Sequence, residues 1–304
     1  MNNNSRRKFI TQSALTVAGF SLLKSKAFSK PFANDHITGI QLYSVRDDMK
    51  KDPAATLKQL AALGYKDVEH AGYADRKFYG YTPADFKKLL SDTGLTMLSG
   101  HSSLDGDRWD KSNNNFTDKW KYTFEDAAAV GMKYVISPGV DENLCKNEDD
   151  FKWYMQLFNK TGELSKKSGI TFAYHNESYE FNHYLNNVRL YDILLKSTDP
   201  SLVYQQIDIG NMYGPGGRAM EYLKNYPGRF FSMHVKDEIT SSTHDEGYES
   251  TVLGKGVIGV KEILDYAKKN GGTKQFIIEQ ESYQGLQPID CAKEDLEIMK
   301  KWGY

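Results

Sequence analysis

The run "FFSMHVKDE", Phe230 to Glu238, sets His234, Lys236 and Asp237 directly behind Phe230, Phe231 and Met233. Imidazole and carboxylate are ligands for divalent metals, and an ammonium stabilises negative charge as it develops in a reaction. A strand that merely reached solvent would also end in polar residues, so the rest of the chain has to decide between these readings. The same arrangement recurs. Asp208 ends "VYQQIDIG", Glu279 and Glu281 end "KQFIIEQES", and His175, Asn176 and Glu177 end "ITFAYHN". Glu69 and His70 end "YKDVEHAG", and His101 follows in "LTMLSGHSS". A mixed imidazole and carboxylate set suits one borderline divalent ion, such as Mn²⁺, Co²⁺, Zn²⁺ or Fe²⁺. Cys145 and Cys291 are the only cysteines, too few for a cysteine zinc site or a disulfide framework. An ion with open positions would accept vicinal sugar oxygens and polarise a carbonyl or hydroxyl.

These residues need elements that bring them together. The chain repeats a short apolar or β-branched run followed by a longer amphipathic stretch. The runs cover 37–45, 65–72, 95–103, 132–139, 170–176, 203–210, 229–237 and 274–282. In "DPAATLKQLAALG" the apolar positions Leu57, Leu60, Ala61 and Leu63 recur near period 3.6, and Gly64 is a stop. "TPADFKKLLSDTG" repeats the plan, with Thr82 as N-cap, Pro83 at the first helical position and Gly94 as stop. Eight alternating units predict a single-domain α/β fold, a closed (β/α)8 TIM barrel, with its site at the C-terminal ends of the strands. No G-x-G-x-x-G follows the first strand, which weakens a dinucleotide-binding fold. The longest irregular pieces, 104–115 and 239–257, fall after strands three and seven.

Composition narrows the partners. Lys and Arg number 39 against 40 Asp and Glu, a net charge of -1, so there is no basic field for nucleic acid. Residues 1–29 read as an export signal rather than fold. Arg6 and Arg7 precede an apolar run from Ala14 to Leu23, which is shorter than the ~20 residues a membrane-spanning helix needs. Ser5-Arg6-Arg7-Lys8-Phe9-Ile10 is similar to a twin-arginine signal. The expectation is a periplasmic protein of residues 30–304 with no stable membrane anchor after cleavage. The 20 tyrosines and 15 phenylalanines are enough for stacking on sugar faces, although most must pack the barrel. His244, in the loop after strand seven, could close over a substrate.

"YHNESYEF" (174–181), "QIDIGNMY" (206–213), "PGRFFSMHVKDE" (227–238) and "FIIEQESY" (276–283) resemble the sugar phosphate isomerase/epimerase family, the xylose-isomerase-like barrels. "GIQLYSVRDDM" and "GYKDVEHAGY" add to the resemblance, which covers nearly the whole chain after residue 30. It implies a metal-dependent isomerase, epimerase or dehydratase, with Asp208, His234 and Glu279 at metal positions. The fourth ligand departs from the family's strand-five glutamate, and His175, Glu177 and Glu180 all compete for it. Glu279 or Glu177 would act as base next to a carbonyl, Lys236 would stabilise the enolate, and His101 would line the pocket. Glu69, Glu180 and Glu281 would contact substrate. The expected substrate is a non-phosphorylated sugar or keto-sugar, which is isomerised or loses a substituent by elimination. A sugar-binding protein without catalysis is the competing class, and a homo-oligomer is in keeping with the family.

Overall fold

The computed structural model describes residues 36–304 apart from Asp245; the export segment expected at 1–29 lies outside the described residues. Eight strands carry the fold: β1 Ile37–Gln41, β2 Asp67–His70, β3 Thr96–Gly100, β4 Tyr134–Pro138, β5 Thr171–His175, β6 Val203–Asp208, β7 Phe230–Val235 and β8 Gln275–Ile278. All pair in parallel, in the order β3-β2-β1-β8-β7-β6-β5-β4. The two outer strands meet through a parallel bridge between His101 and Ile136, flanked by Lys133 N–H to Leu98 C=O and Ser102 N–H to Ile136 C=O, both 2.8 Å. That closure makes the sheet a barrel and leaves no long unpaired edge.

Each strand is followed by its crossover helix: α1 Pro53–Leu63, α2 Pro83–Thr93, α3 Asp118–Val130, α4 Glu148–Lys166, α5 Leu190–Ser197, α6 Ala219–Asn225, α7 Val260–Tyr266 and α8 Pro288–Trp302. The stop and start signals act as their chemistry requires. Asp52 Oδ1 accepts from Ala55 N–H at 3.0 Å, and Thr82 Oγ1 accepts from Asp85 N–H at 3.2 Å. Gly64 ends α1 at φ +108°, a conformation that a side chain would strain. None of the described helices is long and apolar enough to cross a membrane.

The main core lies between barrel and helices, where Trp120 and Phe158 close on Phe172 of β5 at ring-centroid distances of 6.2 and 5.7 Å. A smaller cluster, Ile136, Ala173 and Phe231, has Tyr134 stacked on Phe231 at 4.4 Å. Its members precede the polar residues on their own strands, so it lies toward the N-terminal end of the barrel. The site end is built differently from the sequence expectation. The pieces at 104–115 and 239–257 are not irregular: Trp109–Asp110 pairs with Asn115–Phe116, and Asp237–Thr240 pairs with Tyr248–Thr251, both antiparallel. These segments lack long alternating apolar runs because their paired strands are only two or four residues long. Cys145 and Cys291 are both free and buried.

Candidate active site

Alternation along the strands selects what faces the barrel interior. Residues two apart share a face, so Gln206 accompanies Asp208 on β6 and Ser232 accompanies His234 on β7. The register then sets them side by side: Asp208 stands opposite His234, and Gln206 lies between His175 and Ser232. Across β1, β2 and β3, Gln41, Glu69 and Ser99 stand opposite one another in the same way.

Asp208, His234 and Glu279 bring their ligand atoms within 4.8 Å of one another, and all three are buried. His234 Nδ1 lies 3.0 Å from Glu279 Oε2 and 3.7 Å from Asp208 Oδ2. His175 Nε2 faces the same Asp208 oxygen at 3.8 Å. Asp208 Oδ1 accepts the N–H groups of Gly210 (2.7 Å) and Asn211 (2.8 Å), which leaves its buried Oδ2 free of backbone donors and facing His234 and Lys236. Metal–oxygen and metal–nitrogen bonds of about 2.0–2.2 Å set neighbouring donors roughly 3–3.5 Å apart. Two carboxylates and an imidazole nitrogen gathered this closely are a donor set that suits a borderline divalent ion. His175 Nε2 borders this trio through Asp208 Oδ2 without being one of its three members. A second grouping, His101, His175 and His234, shares His234.

Lys236 crosses this cluster, wholly buried. Its Nζ lies 2.8 Å from Glu279 Oε2, 3.1 Å from Asp208 Oδ2 and 3.3 Å from Glu281 Oε1, and donates to Asn211 Oδ1 at 2.8 Å. Burial opposes its charge, but Asp208, Glu279 and Glu281 outweigh that and hold the ammonium's pKa well above its ordinary value. Burial likewise opposes ionisation of Glu279, and Lys236 and His234 overcome it, keeping the carboxylate well below the usual range. Gly210 makes the crossing feasible: a Cβ there would lie 2.4 Å from Lys236 Cδ.

Above the cluster opens a cavity of about 430 Å³, lined among others by Tyr43, Tyr73, His101, His175, Glu177 and Glu279. Ser102, Ser103, Asp105, Arg108, Asn211 and Glu281 complete its polar lining. Glu177 is half-exposed, with Oε2 accepting from Asn211 Nδ2 at 2.7 Å and Oε1 3.7 Å from His175 Nε2. His101 Nε2 meets Gln206 Oε1 at 2.9 Å, and its ring lies parallel to that of His234 at 5.2 Å.

Two expected contacts are placed elsewhere. Glu69 is fully buried, does not line the cavity, and is saturated by Gln41, Ser99, Gln206 and His234 rather than open to substrate. Glu180 stands on the short helix Tyr179–Asn182, fully buried and outside the cavity lining. Burial raises its carboxyl to about 8, against backbone N–H donors that include Glu177 at 3.4 Å. Glu180 belongs to neither metal-capable group and does not line the cavity, in contrast to the expectation of a ligand or substrate contact. His70 packs on Phe78 and Gly100, and His244 pairs with Glu249 at 3.4 Å outside the cavity lining. Three amides take positioning roles that were not assigned from sequence, although Asn176 stands out there at its strand end. Asn176 clamps the Asp208 backbone through both amide atoms (2.9 and 3.1 Å), Asn211 joins Glu177 to Lys236, and Gln206 joins the three histidines' layer to Glu69. For Gln206 the signal was available, two residues before Asp208 on one strand face.

Residues 57–302 match the xylose isomerase-like TIM barrel family. The chain belongs to this family. Among solved xylose isomerase-like barrels and their kin, it is similar to a sugar phosphate isomerase/epimerase from Parabacteroides distasonis, with 26% identity, TM-score 0.75, and 89% of this chain and 95% of the other covered. The IolI protein with a bound zinc atom shares the fold at 14% identity and TM-score 0.66, over 88% of this chain and 97% of the other. Among curated proteins, an inosose dehydratase of Clostridium perfringens is 32% identical over 101 residues. That match spans a third of this chain and a third of the relative's length.

Proposed function

We propose that this protein is a divalent-metal-dependent enzyme that removes a proton next to the carbonyl of a non-phosphorylated keto-sugar or keto-cyclitol. The observation that carries the reading is the convergence of Asp208, His234 and Glu279 on one point, with His175 beside them and Lys236 Nζ within 3.1 Å of two of the carboxylates. The bound ion would be held by these four residues and would supply Lewis acidity to the substrate's oxygens. Glu177 lines the cavity and Asn211 holds its Oε2, which orients the carboxylate to take a proton. Glu279 faces the cavity from β8, separated from β5 by two strands, so the two carboxylates flank a substrate placed between them. Proton removal by one and return by the other gives isomerisation or epimerisation. Lys236 is buried beneath the cavity rather than lining it, and its ammonium offsets from below the negative charge that builds as the proton leaves.

The lining also speaks to substrate charge. Four carboxylates, Asp105, Glu177, Glu279 and Glu281, face the cavity against one arginine. That arginine, Arg108, lies 3.4 and 3.3 Å from Asp105 and Asp107. A phosphate would meet repulsion here, whereas a neutral polyol would meet hydrogen-bond acceptors. The export signal read at Ser5–Ile10 supports the same choice and a periplasmic location; Arg6→Lys with Arg7→Lys should leave the protein in the cytoplasmic fraction.

A second reading is elimination of a substituent β to the carbonyl, giving a dehydratase or lyase. The similarity to proteins named inosose dehydratase favours it. One assay separates the two. Keto-sugars and keto-cyclitols are incubated with zinc- or manganese-loaded protein in deuterium oxide and followed by proton NMR and ultraviolet absorbance. Deuterium at the α-carbon with a rearranged sugar marks isomerisation, and an enone band marks elimination. Glu177→Gln and Glu279→Gln should each slow either outcome by about 100-fold or more. Turnover that is indifferent to both substitutions would overturn the assignment.

A further inference from the structure

We propose that Glu69 is a positioning residue for the metal centre, fixing through one buried carboxylate which nitrogen each of two histidines presents to the ion. The proposal rests on the metal-dependent reading above. Glu69 has no solvent exposure and lies on the second strand, beneath the cavity. Its Oε1 accepts from Gln41 Nε2 at 2.9 Å and meets His234 Nε2 at 2.6 Å; its Oε2 accepts from Ser99 Oγ at 2.5 Å and Gln206 Nε2 at 2.9 Å. His101 Nε2 lies 3.2 Å from Oε1. An ionised carboxylate can only accept, so the short contact to His234 places a proton on Nε2 and leaves Nδ1 for the ion, on the side of Asp208 and Glu279.

The same carboxylate reaches His175 through Gln206. With its NH₂ group donating to Glu69 and to Ser232 Oγ (3.0 Å), Gln206 must present Oε1 to His175 Nδ1, 3.0 Å away. His175 then carries its proton on Nδ1 and directs Nε2 toward Asp208 Oδ2. Opposite tautomers on two histidines thus follow from one acceptor-only group at the barrel axis. A hydrogen-bonded carboxylate behind a ligating imidazole also raises its basicity, and its loss typically weakens metal binding 10–100-fold. Glutamine is a near-isostere but cannot substitute. It keeps one acceptor oxygen and turns an NH₂ toward groups that are themselves donors.

The test is zinc affinity by chelator competition on the folded protein, for wild type, Glu69→Gln and Ser99→Ala, with metal-free melting curves alongside. Glu69→Gln should bind zinc 10–100-fold more weakly, while Ser99→Ala, which removes one donor and leaves the acceptor, stays within a few-fold of wild type. A Glu69→Gln protein with lowered metal-free stability and unchanged zinc affinity would overturn the proposal and leave a purely structural role. Wild type that binds no zinc would instead overturn the metal reading. Should Glu69→Gln fail to fold, histidine ¹⁵N spectra of zinc-loaded wild type decide: Nε2–H on His234 with Nδ1–H on His175 supports the proposal, and any other pairing contradicts it.

Discussion

Lys236 is the residue on which the site's charge balance turns. It places one positive charge among Asp208, Glu279 and Glu281, and no other cationic side chain that lines or underlies the cavity is as deeply buried, among the described residues. Lys236→Met should retain the metal and lose about 100-fold or more in turnover, since it removes charge stabilisation without removing a ligand. Gly210→Ala tests the same ammonium indirectly. The new Cβ would meet Cδ, Cγ and Cβ of Lys236 at 2.4, 2.6 and 2.9 Å, so the chain must move near its root rather than at a flexible tip. Turnover should fall at least about 10-fold while metal content stays at wild-type level. Metal content and substrate kinetics on the two variants check both expectations.

At the scale of elements, eight short strands do most of the positioning, and these were legible. Each of the eight apolar runs contains one observed strand, because parallel strands buried on both faces leave a near-continuous apolar signal. The polar residues at the ends of such runs stand out as a group, and the family resemblance narrows that group to Asp208, His234 and Glu279 as metal positions. Depth was not legible. Glu69 and Glu180 look alike in sequence, yet one saturates four donors at the barrel axis and the other lies in a short helix turned inward. Amides such as Asn211 carry no charge signal, and their bridging depends on a register that only the folded sheet supplies. Asp237 shows the same limit. It follows the site lysine but serves the hairpin, accepting from the N–H groups of Glu238, Gly254, Gly256 and Ile258 at 3.0, 2.9, 3.0 and 3.2 Å. Asp237→Ala strips the acceptor from four backbone donors. It should cost about 3 kcal/mol in urea unfolding, counting roughly 1 kcal/mol for most of them, and expose 237–258 to limited proteolysis. Equal stability and equal protease resistance would count against that role.

At the scale of the whole molecule, the closing helix α8 ties the barrel's end to the loop that follows β7, and it does so through a buried acid. Asp295 Oδ1 accepts from Leu253 N–H at 2.8 Å, and burial lifts its pKa to about 7. The folded chain therefore keeps a proton that the unfolded chain releases near pH 4, so stability contributed here falls as pH rises between those values. A three-unit shift bounds the effect at about 4 kcal/mol. Asp295→Asn should remove this loss, becoming more stable than wild type at pH 8 and losing the advantage by pH 4. Chemical denaturation across that range measures it, and parallel pH curves for the two proteins would contradict it. The barrel as a whole exists in this account to hold Asp208, His234 and Glu279, with His175, around one ion. The most direct measurement is metal content by mass spectrometry on the purified protein, wild type beside His234→Ala and Asp208→Ala. Near one equivalent of Mn, Co, Zn or Fe in wild type, lost in both variants with folding intact, is the predicted result. No metal in wild type, and none taken up on reconstitution, would contradict it.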